Sequence, residues 1–309
     1  MSSEKRLKRF EGKVALITGG AGDLGSTTAR LFSEEGARLV LFDLPSTEPN
    51  LKQLVTELLS LGRPASLNRL KASLAFTELM MKPTVVIHTS FESGLGPINA
   101  HPSRAPCGEI GSGYARLAVI YVCGDVSNVE DVKKFVQRGM DEFGGIDILF
   151  NTAAMLLPVP LELTDDVMFK RVQDVNVYGV FLTMKYASNQ MIESGKGGVI
   201  INMSSFGGLR GFENAFAYCA SKFAVSGMTR AAAKSLAKHN IRVCALAPWA
   251  LEGNMANECV EGVAKVTGSG AQDIEAVKAF IRDGLNQASI YHTYNLTNLC
   301  KKSVALKLL

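Results

Sequence analysis

The sequence predicts an α/β protein built on a doubly wound, mostly parallel sheet. Three observations carry that prediction. A strand, a glycine-rich turn, a helical pattern and a second strand follow one another near the amino end. Short apolar runs then alternate with helical patterns as far as residue 247. Such alternation places helices on both faces of a parallel sheet. With 309 residues, 47% of them hydrophobic, one large core can be buried, and a single domain is expected over residues 10–285.

In chain order, residues 13–18 read as a buried strand and Thr18-Gly19-Gly20-Ala21-Gly22-Asp23-Leu24-Gly25 as a turn. A helix runs to about Glu35, closed by Gly36, and a second strand spans 38–43 and ends in Asp43. Further strands are expected at 118–123, 146–151, 198–203 and 241–247, with helices at about 50–61, 129–143, 165–193 and 216–238. Residues 63–116 break the pattern, because connections in such units usually run about 2–6 residues. This segment holds five of the ten prolines, which marks it as an insertion of disordered or loosely packed chain. Within it, 73–81 reads as a short helix and 84–88 as a short strand. An oligomerisation element, a substrate lid and translated intron sequence are the sharper alternatives, the last favoured because the flanks would join into an ordinary connection. A helix at about 271–283 is followed by an atypical tail, 286–309, whose only strand candidates are 289–296 and 303–309.

The net charge of +4 is spread without long basic runs, which argues against nucleic acid as a partner. The apolar runs are strand-length, too short for a membrane span. Six scattered cysteines without a CxxC pair point to a reducing compartment, and the charged start carries no apolar stretch, so a cytoplasmic location is expected.

The chemistry begins at the turn. Glycines there let a backbone approach a pyrophosphate, whose charge the following helix amides meet. Gly19 and Gly25 suit that role, Gly20 and Gly22 add conformational freedom, and Asp23 reads as an N-cap turned onto the helix amides. Asp43 can accept both ribose hydroxyls of an adenosine and would repel a 2′-phosphate, so NAD is expected over NADP. Asp125, before Val126, can meet an adenine amino group or serve the turn before the next helix.

Tyr218 and Lys222 stand four residues apart, on one face of a helix. Moving a tyrosine from pKa about 10 to about 7 needs roughly 4 kcal/mol of preferential phenolate stabilisation, which a neighbouring ammonium can help supply. Ser205, thirteen residues before Tyr218, can hold a substrate oxygen in place for proton exchange. Asn176 lies within a helical pattern, where Asn is mildly unfavourable, and holding a water for proton relay is one reason to keep it there. Trp249 and Met255 follow the last strand and either line a pocket or serve packing.

Together these residues resemble the short-chain dehydrogenase/reductase family, over about 10–62 and 117–270. Thr18–Gly25 is similar to its cofactor turn and Asn151-Thr152-Ala153-Ala154 to its Asn-Asn-Ala-Gly motif. Asn176, Ser205, Tyr218 and Lys222 match its catalytic tetrad. The resemblance implies a Rossmann-type domain, commonly a homodimer or homotetramer, that oxidises alcohols or reduces ketones with NAD(P). It makes Tyr218 the acid/base, with Lys222 lowering its pKa and binding the nicotinamide ribose, Ser205 orienting the carbonyl and Asn176 supporting the relay. The implied cofactor contacts are Gly19, Gly22, Asp23, Leu24 and Gly25 in the turn, then Asp43, Asp125 and Val126. Asn151, Ala153 and Pro248 complete them with Tyr218 and Lys222. Asp23 stands where the family usually has a glycine, and Thr152 and Ala154 replace Asn and Gly. Pro248-Trp249-Ala250-Leu251-Glu252-Gly253 lacks the threonine often found there. The expected function is therefore hydride transfer between NAD(H) and a secondary alcohol or ketone. The rival expectation is a catalytically impaired or non-enzymatic dinucleotide- or partner-binding member, including a splice product. No metal is expected.

Overall fold

A computed structural model describes residues 8–61, 84–87 and 118–248 of the chain. The elements are β1 (Val14–Thr18), α1 (Asp23–Glu34), β2 (Arg38–Asp43), α2 (Glu48–Leu61), β3 (Thr84–Ile87), β4 (Val119–Cys123) and α3 (Val129–Phe143). They continue with β5 (Ile148–Asn151), α4 (Asp166–Gln173), a π-helical turn (Asp174–Tyr178), α5 (Gly179–Ser194), β6 (Gly198–Met203), α6 (Phe216–Leu236) and β7 (Ile241–Pro248). The predicted helices at 73–81 and 271–283, the tail strands, Trp249 and Met255 lie outside the described residues.

Seven strands form one sheet in the order β3-β7-β6-β5-β1-β2-β4. Among the described residues six run parallel, as the alternation of elements requires, and β3 alone is antiparallel, against β7. Strand residues alternate between two cores. Leu16, Val40, Phe42 and Ile200 face α3, α5 and α6, while Ala15, Ile17, Leu41 and Phe150 face α1 and α2. Burial on both faces explains why β1 and β2 are continuous apolar runs. Outward from β1 the chain builds β2 and β4, then crosses back to build β5, β6 and β7. The reversal leaves a crevice above the carboxyl ends of β1 and β5, where sheets of this kind bind ligands.

Local signals set the helix ends. Asn128 caps α3 by accepting from the amides of Glu130 and Asp131, and Gly144 ends it at φ 72°. Asp165 caps α4 in the same way. The helix expected over 165–193 is present as one unbroken run, in which α4 continues into α5 through the π turn that carries Asn176. The π turn rotates the face beyond it without ending the helix, and a one-helix reading of the spacing does not mark it.

The strand expected at 84–88 is present as β3, and the sequence alone does not assign its place in the sheet. Thr84 lies opposite Pro248 and Ile87 opposite Ala245, so the insertion closes the outer edge of β7. β-Branched residues suit that position, and an uncovered edge would leave a row of backbone groups unpaired.

Phe42 and Phe135 stack with centroids 4.7 Å apart in the larger core, and both are fully buried. Phe135→Ala should lower unfolding free energy by about 3–5 kcal/mol, read as a shifted urea midpoint with unchanged slope.

Candidate active site

The glycine turn follows β1 directly. Gly19 sits at φ +64°, and a Cβ there would come within 2.8 Å of the Ala153 amide nitrogen. A Cβ on Gly25 would overlap the Gly19 carbonyl, so α1 can enter over the turn only without a side chain at that point. Gly22 is different: its φ is −72° and the nearest atom to an added Cβ lies 3.4 Å away. Positive φ is thus confined to Gly19 within this turn. The N-cap of α1 is Gly22, which corrects the expectation for Asp23. Asp23 is instead the first helical residue, where the helix dipole favours an acid. The first helical bond of α1 runs from Ser26 N–H to Gly22 carbonyl, so the Leu24 and Gly25 amides precede it.

The turn is tied to its neighbours. Thr18 Oγ1 accepts from the amides of Thr152 and Ala153 at 3.1 and 3.2 Å, joining the loops after β1 and β5. Asp43 Oδ2 accepts from Ala21 N–H at 2.9 Å and Oδ1 from Leu44 N–H at 2.8 Å. One lone pair remains on each oxygen, at the end of β2 beside the turn. Asp125 braces the loop after β4 against α4. Its Oδ1 accepts from the Ser127 amide and hydroxyl, and its Oδ2 from Arg171 of α4 at 2.6 Å. Burial raises the Asp125 pKa, but the Ser127 bonds and the Arg171 guanidinium outweigh it and hold the carboxyl below its ordinary value. Val126 packs against Gly179 at the start of α5.

Asn176, Ser205, Tyr218 and Lys222 are brought together by the π turn before α5, the end of β6 and the first turns of α6. Lys222 is 2% exposed, and its Nζ donates to the Met203 carbonyl at 2.8 Å. The same nitrogen lies 5.5 Å from the centroid of the Tyr218 ring. Burial lowers the Lys222 pKa from 10.5 to about 8. Ser205 Oγ accepts from the Gly207 amide at 3.1 Å, which orients the hydroxyl and leaves its proton to donate. The turn beyond it packs on α6, since a Cβ on Gly208 would come within 2.5 Å of the Lys222 carbonyl oxygen.

The Asn176 side chain is bonded to two neighbouring segments. Its Oδ1 accepts from Met155 N–H at 2.7 Å, and its Nδ2 donates to the Met155 carbonyl and the Ser221 hydroxyl at 2.8 and 2.9 Å. Those bonds satisfy both amide protons and one oxygen lone pair. Ser221 in turn donates to the Tyr218 carbonyl at 2.7 Å, so Asn176 clamps the loop after β5 to the Tyr218 helix. Pro248 ends β7.

Sequence reasoning missed Thr18, Arg171 and Ser221 as supports of the site. Arg171 and Asp125 are far apart in the chain, and no spacing rule joins them. Asn202 carried a readable signal, a lone amide in a buried apolar strand. No group of three or more His, Cys, Asp or Glu that could hold a metal occurs among the described residues. No helix among them is long and apolar enough to cross a membrane.

Comparison with known proteins decides the family. The family model described as short chain dehydrogenase matches residues 98–264, beyond the glycine turn. Galactitol 2-dehydrogenase of Agrobacterium fabrum is 31% identical over 245 residues, covering 79% of this chain and 73% of that protein. The chain belongs to the short-chain dehydrogenase/reductase family. Secoisolariciresinol dehydrogenase of Forsythia intermedia is 32% identical over 246 residues, with 79% and 68% covered. Among solved structures, a short-chain type dehydrogenase/reductase from Mycobacterium marinum superposes with TM-score 0.56 at 26% identity, covering 78% of this chain and 76% of that one. A 3-ketoacyl-(acyl-carrier-protein) reductase from Brucella melitensis, solved with NADH, gives TM-score 0.54 at 26% identity, with 75% and 74% covered. Members of this oxidoreductase family use NAD(P), and the sheet order and crevice of this chain suit a dinucleotide.

Two outcomes follow from the site geometry. Gly25→Ala should destabilise the domain measurably in thermal unfolding, while Gly22→Ala should be nearly neutral. Lys222 should leave a signature in stability against pH. Between about pH 8 and 10.5 the unfolded chain holds the Lys222 proton and the folded chain does not, so stability gains with rising pH there. That contribution is lost as pH falls through about 8, and Lys222→Met should remove it from the urea midpoints.

Proposed function

We propose that this short-chain dehydrogenase/reductase transfers hydride between NAD(H) and a secondary alcohol or the corresponding ketone. The observation that carries the reading is the buried Lys222 amine, held by the Met203 carbonyl and 5.5 Å from the Tyr218 ring centroid. A buried cation beside a phenol favours the phenolate, which is the base an alcohol oxidation needs.

The residues fit the cofactor. Gly19 and Gly25 keep side chains out of a cradle whose Leu24 and Gly25 amides precede the first helical bond, as a pyrophosphate requires. Asp43 retains an acceptor on each oxygen for a ribose diol, and its charge beside Ala21 disfavours a 2′-phosphate, which supports NAD over NADP. Gly22, Asp23, Asp125, Val126, Asn151, Ala153 and Pro248 complete the proposed contacts. When bound, NAD(H) accepts or supplies the hydride.

In the oxidising direction, Tyr218 takes the alcohol proton as hydride leaves the carbon, and in reduction it returns that proton to the carbonyl oxygen. Ser205 donates its hydroxyl proton to the substrate oxygen and holds it near Tyr218. Below about pH 8 Lys222 keeps positive charge beside the phenol, and it can reach the nicotinamide ribose. Asn176 contributes by clamping the π turn and the Tyr218 helix, so that the relay depends on backbone it positions rather than on its amide. The exposed rings of Tyr178 in the π turn and Phe181 on α5, with Phe216 and Phe223 on α6, support a homo-oligomer. Free Cys123, Cys219 and Cys244 fit a cytoplasmic location.

Tyr218→Phe should lower turnover by roughly 10²–10⁴-fold while NADH fluorescence titration gives a dissociation constant close to that of the unaltered chain. Turnover that survives the substitution would overturn the assignment of Tyr218. A preference for NADP over NAD in the same assay would overturn the reading of Asp43.

A further inference from the structure

Beneath the candidate active site lies a row of buried polar side chains that bond to one another. Thr183 of α5, Asn151 of β5, Asn202 of β6 and Thr229 of α6 are each at most 2% exposed. Thr183 Oγ1 donates to Asn151 Oδ1 at 2.8 Å, Asn151 Nδ2 to Asn202 Oδ1 at 2.9 Å, and Asn202 Nδ2 to Thr229 Oγ1 at 3.0 Å. Thr229 passes its own proton to the Val225 carbonyl at 2.7 Å. These four bonds point the same way, from α5 through two strands to α6, while the second Asn202 amide proton turns back to Met184 Sδ of α5 at 3.2 Å.

The direction is set by donor supply. Thr229 has one proton and gives it to Val225, so Asn202 must face it with its NH₂ group. The Asn202 oxygen then faces Asn151, whose own oxygen is left for Thr183. The Gly179 and Val180 carbonyls also lie within reach of the Thr183 hydroxyl, at 2.9 and 3.0 Å. Carbonyls inside a helix have backbone amides as partners, whereas Thr183 is the sole donor to Asn151 Oδ1 among the described residues. A buried acceptor left alone is costly, which directs the proton to Asn151.

We infer that Thr183, Asn151, Asn202 and Thr229 are positioning residues, one hydrogen-bonded unit that holds α5 and α6 at a fixed separation across β5 and β6. The inference rests on the proposed hydride-transfer site. Each member lies on or directly beside an element that carries a group of that site or its support. Thr183 is two helical turns beyond Asn176, and Thr229 two turns beyond Lys222. Asn202 precedes Met203, whose carbonyl holds Lys222, and Asn151 precedes Thr152 and Ala153, which hold Thr18. Asn151 and Asn202 are also directly paired in the β5–β6 register, so a one-residue slip would break the unit. Apolar residues of similar size would fill the same space without a desolvation cost. The polar row is explained by the unique geometry it imposes.

Thr183 and Thr229 have no hydrogen bond to each other, and the row through the two asparagines joins them, with Asn202 Nδ2 also reaching Met184 Sδ of α5 at 3.2 Å. Thr183→Val and Thr229→Val keep the shape and delete the hydroxyl. Each should lower kcat by roughly 10–100-fold with little change in KM, and the double variant should be no worse than the poorer single one. Thr229→Ser should restore kcat. Hydrogen–deuterium exchange gives a second readout that needs no activity: Thr183→Val should speed exchange at Met203–Ser205, on the far side of β5. Effects on kcat that multiply, or exchange that changes on α5 alone, would overturn the inference. If the unaltered chain turns over no alcohol or ketone, the proposed function fails, and exchange alone then decides the hydrogen-bonded unit.

Discussion

The buried contact between Lys222 and the Met203 carbonyl is the constraint on which the candidate site depends. A long cationic side chain is drawn under the end of β6, and the helix that bears it must lie close to the strand. Ser204 reinforces this by donating to the Lys222 carbonyl at 3.1 Å and sharing a hydrogen bond with Ser226 at 2.8 Å. Gly208 lets the turn after Ser205 settle against the same helix. The desolvation that lowers the Lys222 pKa is thus offset by packing that also fixes Ser205 and Tyr218.

The second constraint is the π turn. An α-helix continued through residues 174–178 would rotate everything beyond it, and Asn176 would lose its bonds to Met155 and Ser221. The bulge keeps Asn176 aimed at α6 while α5 still packs against α3 and the sheet. Its amide serves as a clamp between the loop after β5 and the Tyr218 helix. Thr18 plays the same part at the other end of the crevice, where its hydroxyl joins the glycine turn to the loop carrying Ala153. The glycine turn and the candidate proton-transfer groups are therefore positioned through one set of strand ends.

Much of this is legible in the chain. Continuous apolar runs identify the parallel strands because both faces of the sheet are covered. The glycine turn and the Tyr218–Lys222 pair can be read because turn geometry and helical spacing are local properties. Asp23 is misjudged because an acid before a helix has the same appearance at the cap and at the first helical position. The Asp125–Arg171 pair and the bonds that link Thr183, Asn151, Asn202 and Thr229 are not legible, since their members meet only when helices, loops and strands from distant parts of the chain pack together.

The sequence by itself determined the class of sheet, the turn that needs glycine and the candidate residues for proton exchange. Those follow from backbone sterics, hydrophobic period and side-chain chemistry, all of which act over a few residues. Tertiary structure decided the rest. It made Asn176 a clamp, set Lys222 in a dry site, tied Asp43 to the turn and gave the edge of β7 to the insertion strand. Each outcome depends on which surfaces exclude water and which distant backbone groups find one another, and only the folded chain settles that.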